Sequence, residues 1–309
     1  MKKRNLFLAL VLLVLVGVLG CSPGEREADD DYHVDFVESE SVFTLSKLVE
    51  FFNEGTADTV SLGASIDIGN QMLKLTQVRG EIRILGNGFS ITGSGECVIR
   101  MEDGAALQLQ DLTLTCGADG IGCLGNAQLQ AENVQIEALK NGIYCAGSLS
   151  IGSGSNLTLS ANKGSGVTAK GIDLGSGSTL VTSGAKGGVV VMGDDIALGE
   201  NAMLSAYTEA NYYALKCEGA LALSNGARVR VENTSEYHGA EIYAVFADGV
   251  ATVEATGGAK GVGLFVFRQE QDVYVLGESQ PAPRYESGLG SVKFVDAASD
   301  IPILEEAQG

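Results

Sequence analysis

Seven stretches of this chain align on one another roughly every 22 residues, and a repeat of that period restricts the fold more than any other feature. Aligned on a short segment that usually closes with glycine, they read GIGCLG (120–125), GIYCAG (142–147), GVTAKG (166–171) and GVVVMG (188–193). ALKCEG (214–219), AVFADG (244–249) and GLFVFR (263–268) continue the series. The second column holds Ile121, Ile143, Val167, Val189, Leu215, Val245 and Leu264. The fourth holds Cys123, Cys145, Ala169, Val191, Cys217, Ala247 and Val266. Two apolar columns separated by one variable position describe a strand with one buried face. Repetition at this period means that each unit buries that face against its neighbours.

The rest of each unit predicts two more strands. A first strand carries the apolar pairs Leu149/Ile151, Ile172/Leu174, Ile196/Leu198 and Leu221/Leu223. A polar turn follows, written GSGS, GSGS, GENA and SNGA in successive units. A second strand carries Leu112/Leu114, Val134/Ile136, Leu157/Leu159, then Leu180, Leu204 and Val229/Val231. Three strands and their turns leave no room for a crossover helix, so the chain must wind as a solenoid. With coils ~4.8 Å apart, seven of them make a rod of roughly 34 Å.

From Phe43 to Arg268 the pattern resembles right-handed parallel β-helix proteins, the pectate-lyase-like group. The resemblance implies an all-β, single-stranded right-handed parallel β-helix with a capping helix at its N-terminal end. Residues 43–53 (FTLSKLVEFFN) supply a candidate, with Leu45, Leu48, Val49 and Phe52 at helical spacing. Ser41 or Thr44 is the expected N-cap, and Gly55 sits where a stop belongs. In the family such a helix shields the first coil's open core and strand edge.

The N-terminus carries an address. Lys2, Lys3 and Arg4 precede an apolar run from Leu6 to Leu19, which meets Gly20-Cys21-Ser22. A basic start and a short apolar stretch describe a signal peptide over residues 1–20. Val18-Leu19-Gly20-Cys21 resembles the bacterial lipobox, which implies lipidation at Cys21 and anchorage to a bilayer outside the cytoplasm. Residues 21–41 then read as an acidic, flexible tether, 42–268 as the β-helix with its cap, and 269–309 as a C-terminal capping segment. The formal charge of −19 argues against nucleic acid as a partner.

Beyond Cys21, five cysteines remain: Cys97, Cys116, Cys123, Cys145 and Cys217. Cys123 and Cys145 fall in one inward column on adjacent coils, which brings a bridge within Cα reach. Alanine and valine elsewhere in that column point instead to a small apolar filler, so a buried free stack is favoured over the disulfide. His33 and His238 are the two histidines, and no CxxC or calcium-loop motif occurs. No metal or cofactor is expected.

Catalytic signatures are thin. Family members that cleave acidic polysaccharides use carboxylates holding calcium beside a basic residue, or paired aspartates. Asp194-Asp195 is the one adjacent pair of aspartates in the coils, and a polar turn is its plainer reading. No NTD, GHG or RIK segment accompanies it; Lys170, Lys186 and Lys216 read as isolated, and Arg228 and Arg230 flank a strand. The better candidate surface is C-terminal. The outward third column runs Gly122, Tyr144, Thr168, Val190, Lys216, Phe246, Phe265, turning aromatic toward one end. Spacing along the fourth column grows from 22 (Cys123 to Cys145) to 30 (Cys217 to Ala247). Tyr207, Tyr212, Tyr213, Tyr237, His238 and Tyr243 gather around the added length, with Glu209, Glu236 and Glu241 nearby.

These features predict a membrane-anchored, non-enzymatic binding or adhesion module that recognises a glycan or envelope component. A divergent polysaccharide lyase or hydrolase and a structural spacer contacting proteins are the alternatives.

Overall fold

Inward apolar pairs on three strands per repeat can be buried only if successive coils stack in register, and the chain does this. The computed structural model describes residues 39–54, 57–235, 239–247, 251–256, 263–266, 273–276, 284–285 and 292–295. It is a right-handed parallel β-solenoid of about nine turns, or a rod of ~43 Å at one strand spacing per turn. The sequence repeat passes over the first two coils, Thr59–Leu62, Ile66–Gly69 and Leu73–Leu75, then Glu81–Leu85, Ser90–Gly93 and Cys97–Met101, because they lack the GIxCxG signature. The segment expected to be a signal peptide, Cys21 and the part of the expected tether before Ser39 lie outside the described residues.

Each face is a ladder of like residues. On the first, Ile82, Leu107, Leu129, Ile151, Leu174, Leu198 and Leu223 are successive register partners. The second stacks Leu112, Val134, Leu157, Leu180, Leu204, Val229 and Val253. The third stacks Ile99, Ile121, Ile143, Val167, Val189 and Leu215. All are buried, so each coil covers the apolar surface of the last. Thr182 interrupts the second face yet stays buried, because its Oγ1 donates to the Ser205 carbonyl at 3.3 Å.

The corner between first and second faces takes two forms. In two early coils one residue turns it, Asp111 and Asn133 at φ of 49° and 52°, and in the coil before them Asn87 and Gly88 share it at 52° and 79°. Asparagine and aspartate tolerate this left-handed region better than other side chains. Asn133 Nδ2 also donates to Asp111 Oδ1 at 3.0 Å, linking adjacent corners. The strands Ala105–Cys116 and Ala127–Ala138 therefore run unbroken around the bend. From residue 152 onward the GSGS, GENA and SNGA turns replace the single residue, with Gly154, Gly177, Asn201 and Gly226 at positive φ.

The expected helix spans Leu45–Glu54. Thr44, one of the two expected caps, accepts Leu48 N–H on its carbonyl at 3.1 Å and Lys47 N–H on Oγ1 at 3.5 Å. Leu48, Phe51 and Phe52 are buried over the first coil, with the Arg79 guanidinium 5.2 Å from the centre of the Phe51 ring.

Two expectations about the C-terminal coils are corrected. AVFADG does not continue the third face: Leu215 and Cys217 pair with Ala240 and Ile242, while Val245 and Ala247 pair with Leu221 and Leu223 of the first face. Leu264 pairs with Ile242, so it joins the fourth column and not the second. The coil beyond Cys217 thus closes at Ile242 and not at Ala247, which shortens the lengthening that the alignment implied. A register shift between Cys217 and Ala220 hides this from simple alignment, since a similar apolar-x-apolar rhythm runs on both sides of the corner. Val273–Leu276 and Val292–Val295 are strands, and they extend the second face in parallel, Val253 to Val275 to Phe294.

Candidate functional site

The register correction dissolves the aromatic stripe. Outward positions on the third face run Lys74, Arg100, Gly122, Tyr144, Thr168, Val190, Lys216 and Glu241. Phe246 is instead the register partner of Ala222 on the first face, and Phe265 pairs with Arg284. What remains of the C-terminal candidate surface is the loop that carries Tyr212 and Tyr213.

That loop, between Met203–Thr208 and Leu215–Leu223, is fixed from beneath. Asn233 is fully buried and donates through Nδ2 to the Tyr212 carbonyl at 2.8 Å. Ser235 Oγ donates to the Ala210 carbonyl at 2.9 Å. Thr208 Oγ1 accepts Ala210 N–H at 3.2 Å and donates to the Gly184 carbonyl at 2.7 Å. Every one of these bonds ties the loop to a neighbouring coil or to its own base, so the tyrosines sit on a defined backbone. Their rings meet edge to face, with centroids 5.9 Å apart and planes at 71°. Both are half-buried, and Tyr212 lies beside Val190 over Gly187. Val190 occupies an outward position yet is buried, because this loop folds across it.

Tyr207 sits at the foot of the same loop, where its hydroxyl donates to Glu209 Oε1 at 2.6 Å. That bond raises the phenol's pKa above its ordinary value. Ala214 N–H donates to the Gly239 carbonyl, so Gly239 lies one coil further along. Tyr237 and His238 fall outside the described residues. Tyr243 lies in the strand Ala240–Ala247, opposite the register shift, and its side chain is not described.

Asp194 and Asp195 form a structural turn. Asp194 pairs with Lys170 at 3.4 Å across exposed surface, and Asp195 Oδ1 accepts Ala220 N–H from the next coil at 2.7 Å. Other coils repeat the device: Asp103 Oδ1 accepts Asn126 N–H at 2.7 Å, and Asn126 Oδ1 accepts Ser148 N–H at 3.0 Å. It explains the glycine that closes these repeats. A Cβ at Gly125, Gly147 or Gly219 would overlap the corner residue of the preceding coil.

The five cysteines are buried and free, as the favoured reading had it. Cys123 and Cys145 are register partners without a bridge. Burial pushes the Cys97 and Cys217 thiols up to about 11. The Cys123 thiol is also raised, by its hydrogen bond to Cys145 and by burial. Such thiols are protonated at neutral pH and poor nucleophiles. Among the described residues no group of three or more His, Cys, Asp or Glu could hold a metal ion.

Sequence reasoning missed a row of cations. Lys186, read as isolated, stands in line with Lys140 and Lys163: each lies two residues past one of the partners Ala138, Ala161 and Gly184. The even spacing of the three lysines along the chain is the signal that was present in the sequence. Compared with protein-family models, curated proteins and solved structures, the chain shows no match.

Proposed function

We propose that this chain is an extracytoplasmic lipoprotein, anchored through Cys21, whose solenoid presents the Tyr212 loop to capture a glycan. The observation that carries the reading is the pinned tyrosine pair: two half-exposed aromatic rings on a backbone held by a buried asparagine. Rings fixed in advance lose little freedom when a sugar stacks on them, which favours binding by a rigid surface. Glu209, already within reach of Tyr207, offers a carboxylate to sugar hydroxyls at the loop's foot. Asp195 accepts a backbone N–H in a repeated turn, so the role proposed for the chain is binding and not cleavage.

The test is capture of a broad glycan panel by the full-length chain, repeated with Tyr212→Ala/Tyr213→Ala. The reading predicts one glycan class captured by the parent and lost by the variant, with the melting temperature within a few degrees. Unchanged capture by the variant rejects this site. Anchorage is tested separately: Cys21→Ser should move the protein from the membrane to the soluble fraction, and retention on the membrane would reject lipidation there.

A further inference from the structure

Sulfur gathers in one inward column of the early coils. On the third face Met101, Cys123 and Cys145 follow one another as register partners, and all three are buried. Leu75 precedes them in the ladder, and Ala169 and Val191 hold the same position in later coils. Packing alone can therefore fill this column without sulfur. The three sulfurs are neighbours in line. Cys123 Sγ lies 4.0 Å from Met101 Sδ and hydrogen-bonds the Cys145 thiol. Cys145 Sγ in turn donates to the Gly125 carbonyl at 3.1 Å. Gly125 is half-buried at the corner that closes the third face, so one layer of backbone separates the column from solvent there.

The other described cysteines are placed differently. Cys97 Sγ donates to a thioether, Met72 Sδ, at 3.2 Å. Cys116 Sγ accepts Ala118 N–H at 3.4 Å, and Cys217 Sγ faces the carbonyls of Gly219 and Ala220. Burial pushes the Cys97 and Cys217 thiols up to about 11, whereas the hydrogen bond from Cys123 holds the Cys145 thiol below its ordinary value.

Stacking geometry decides what the Cys123 and Cys145 pair can hold. In-register side chains keep their Cβ atoms about one coil apart, ~4.8 Å, beyond the ~3.8 Å of a good disulfide. Two metal–thiolate bonds of about 2.3 Å laid end to end span about 4.6 Å. A two-coordinate cation thus fits between the coils where a direct S–S bond does not. Thiolate and thioether donors select soft cations such as Cu(I). A structural zinc takes four ligands, and this column offers three.

We propose that Met101, Cys123 and Cys145 form a site for one soft monovalent cation, Cu(I) or Ag(I), with the two thiolates along the rod axis and the thioether as a weaker third donor. Binding is an exchange without redox change: one cation enters, two thiol protons leave to solvent, and two metal–sulfur bonds form. The site then carries a charge of −1, which the Gly147 N–H beside Cys145 Sγ helps to hold. The unbranched Met101 side chain can follow the cation without moving a strand. None of these residues belongs to the Tyr212 loop, so the inference stands apart from the glycan reading.

The test uses the full-length chain carrying Cys21→Ser, which leaves the five thiols of the coils. Cu(I) is titrated without oxygen against a chromogenic Cu(I) chelator, and Ag(I) alone is titrated by calorimetry. One equivalent of either cation should bind and should raise the melting temperature, because a cation held by the folded chain stabilises it. X-ray absorption of the copper-loaded chain should show sulfur neighbours only. Cys123→Ala/Cys145→Ala, which installs the residue that stands at 169, should weaken binding by about a hundredfold or more. Cys97→Ala/Cys217→Ala should keep the parental affinity. Met101→Leu should weaken binding by about tenfold at unchanged stoichiometry, and parental affinity there would remove Met101 from the site. The proposal is overturned by no tight binding of either cation, or by nitrogen or oxygen neighbours. It is equally overturned by parental affinity in Cys123→Ala/Cys145→Ala, or by loss of binding in Cys97→Ala/Cys217→Ala. A melting temperature lowered on loading also overturns it, since the cation would then be held by the unfolded chain.

Discussion

The coils around residues 105–145 and those around 196–247 solve one packing problem with different amounts of chain. Early coils step from Leu107 to Leu129 to Ile151 and turn their first corner on one residue. Later coils take a longer step, as from Leu198 to Leu223, with a glycine-bearing turn and a register shift between Cys217 and Ala220. The inward columns barely change between the two regions. Only the inward face must stack, so added residues accumulate in outward turns, where they cost little loop entropy. That is why the lengthened coils carry a built loop at Tyr212, whereas the uniform coils keep a one-residue corner.

The largest expected effect contrasts the cores. Ile136 packs between Leu114 and Leu159, so Ile136→Ala should cost about 3–4 kcal/mol in urea unfolding. Val231 lies between Ala206 and Ala255 in the same ladder, and Val231→Ala should cost about 1–2 kcal/mol. Equal losses would break the comparison.

The closing glycines give the next effect. At Gly219 an added methyl meets the backbone of Asp194, which cannot move, and Gly219→Ala should cost about 2–3 kcal/mol. At Gly125 the obstacle is the Asp103 side chain, which can swing away and forfeit its bond to Asn126 N–H; about 1 kcal/mol is expected there. The reverse order in thermal melts would contradict the assignment of these turns.

A smaller change separates the two corner designs. Asn133→Ala places an ordinary side chain at φ 52° and removes the bond to Asp111, for a loss of about 1–2 kcal/mol. Asn133→Gly should come close to neutral, because glycine accepts this φ without steric cost. A neutral alanine would show that the corner carries no strain.

The last effect depends on pH and involves one thiol in an early coil and one in a late coil. Cys97 and Cys217 have folded pKa values of about 11 against 9.0 for a free thiol. A raised folded pKa means that the unfolded chain loses its protons first. Stability is therefore retained below pH 9 and falls as pH rises toward 11. Urea midpoints should decline across that window, and Cys217→Ser should blunt the decline. In the folded state a thiol reagent should find no reactive cysteine among these at neutral pH.

Much of the fold was legible because burial writes itself into alternation. Leu149/Ile151 and its successors, the 43–53 helix and the free cysteine stack follow from inward columns that tolerate few residue types. The two coils before residue 101 were covered by the resemblance but not by the seven-unit alignment, because they stack the same apolar ladders without the glycine signature. The register beyond Cys217 was misread because a period-two pattern has no phase of its own. AVFADG fits either face until its neighbour is known. The Tyr212 loop was legible as composition, while its support by Asn233 was not, since that asparagine acts from the following coil. The lysine row stayed hidden because its members sit in turns of different sequence, KNG, KGS and KGG.

The register of the C-terminal coils decides which residues share an outward surface, and spin-label distances measure it directly. Nitroxides would be placed at Lys216 with Glu241, and separately at Lys216 with Phe246, on the full-length chain with its buried thiols unlabelled. Residues 216 and 241 are partners on adjacent strands, so that pair should show strong short-range broadening, with backbones ~4.8 Å apart. The 216/246 pair should be clearly longer. Strong broadening at 216/246 with a longer 216/241 distance would contradict the account: it would restore an aromatic stripe on the third face and move the candidate site away from the Tyr212 loop.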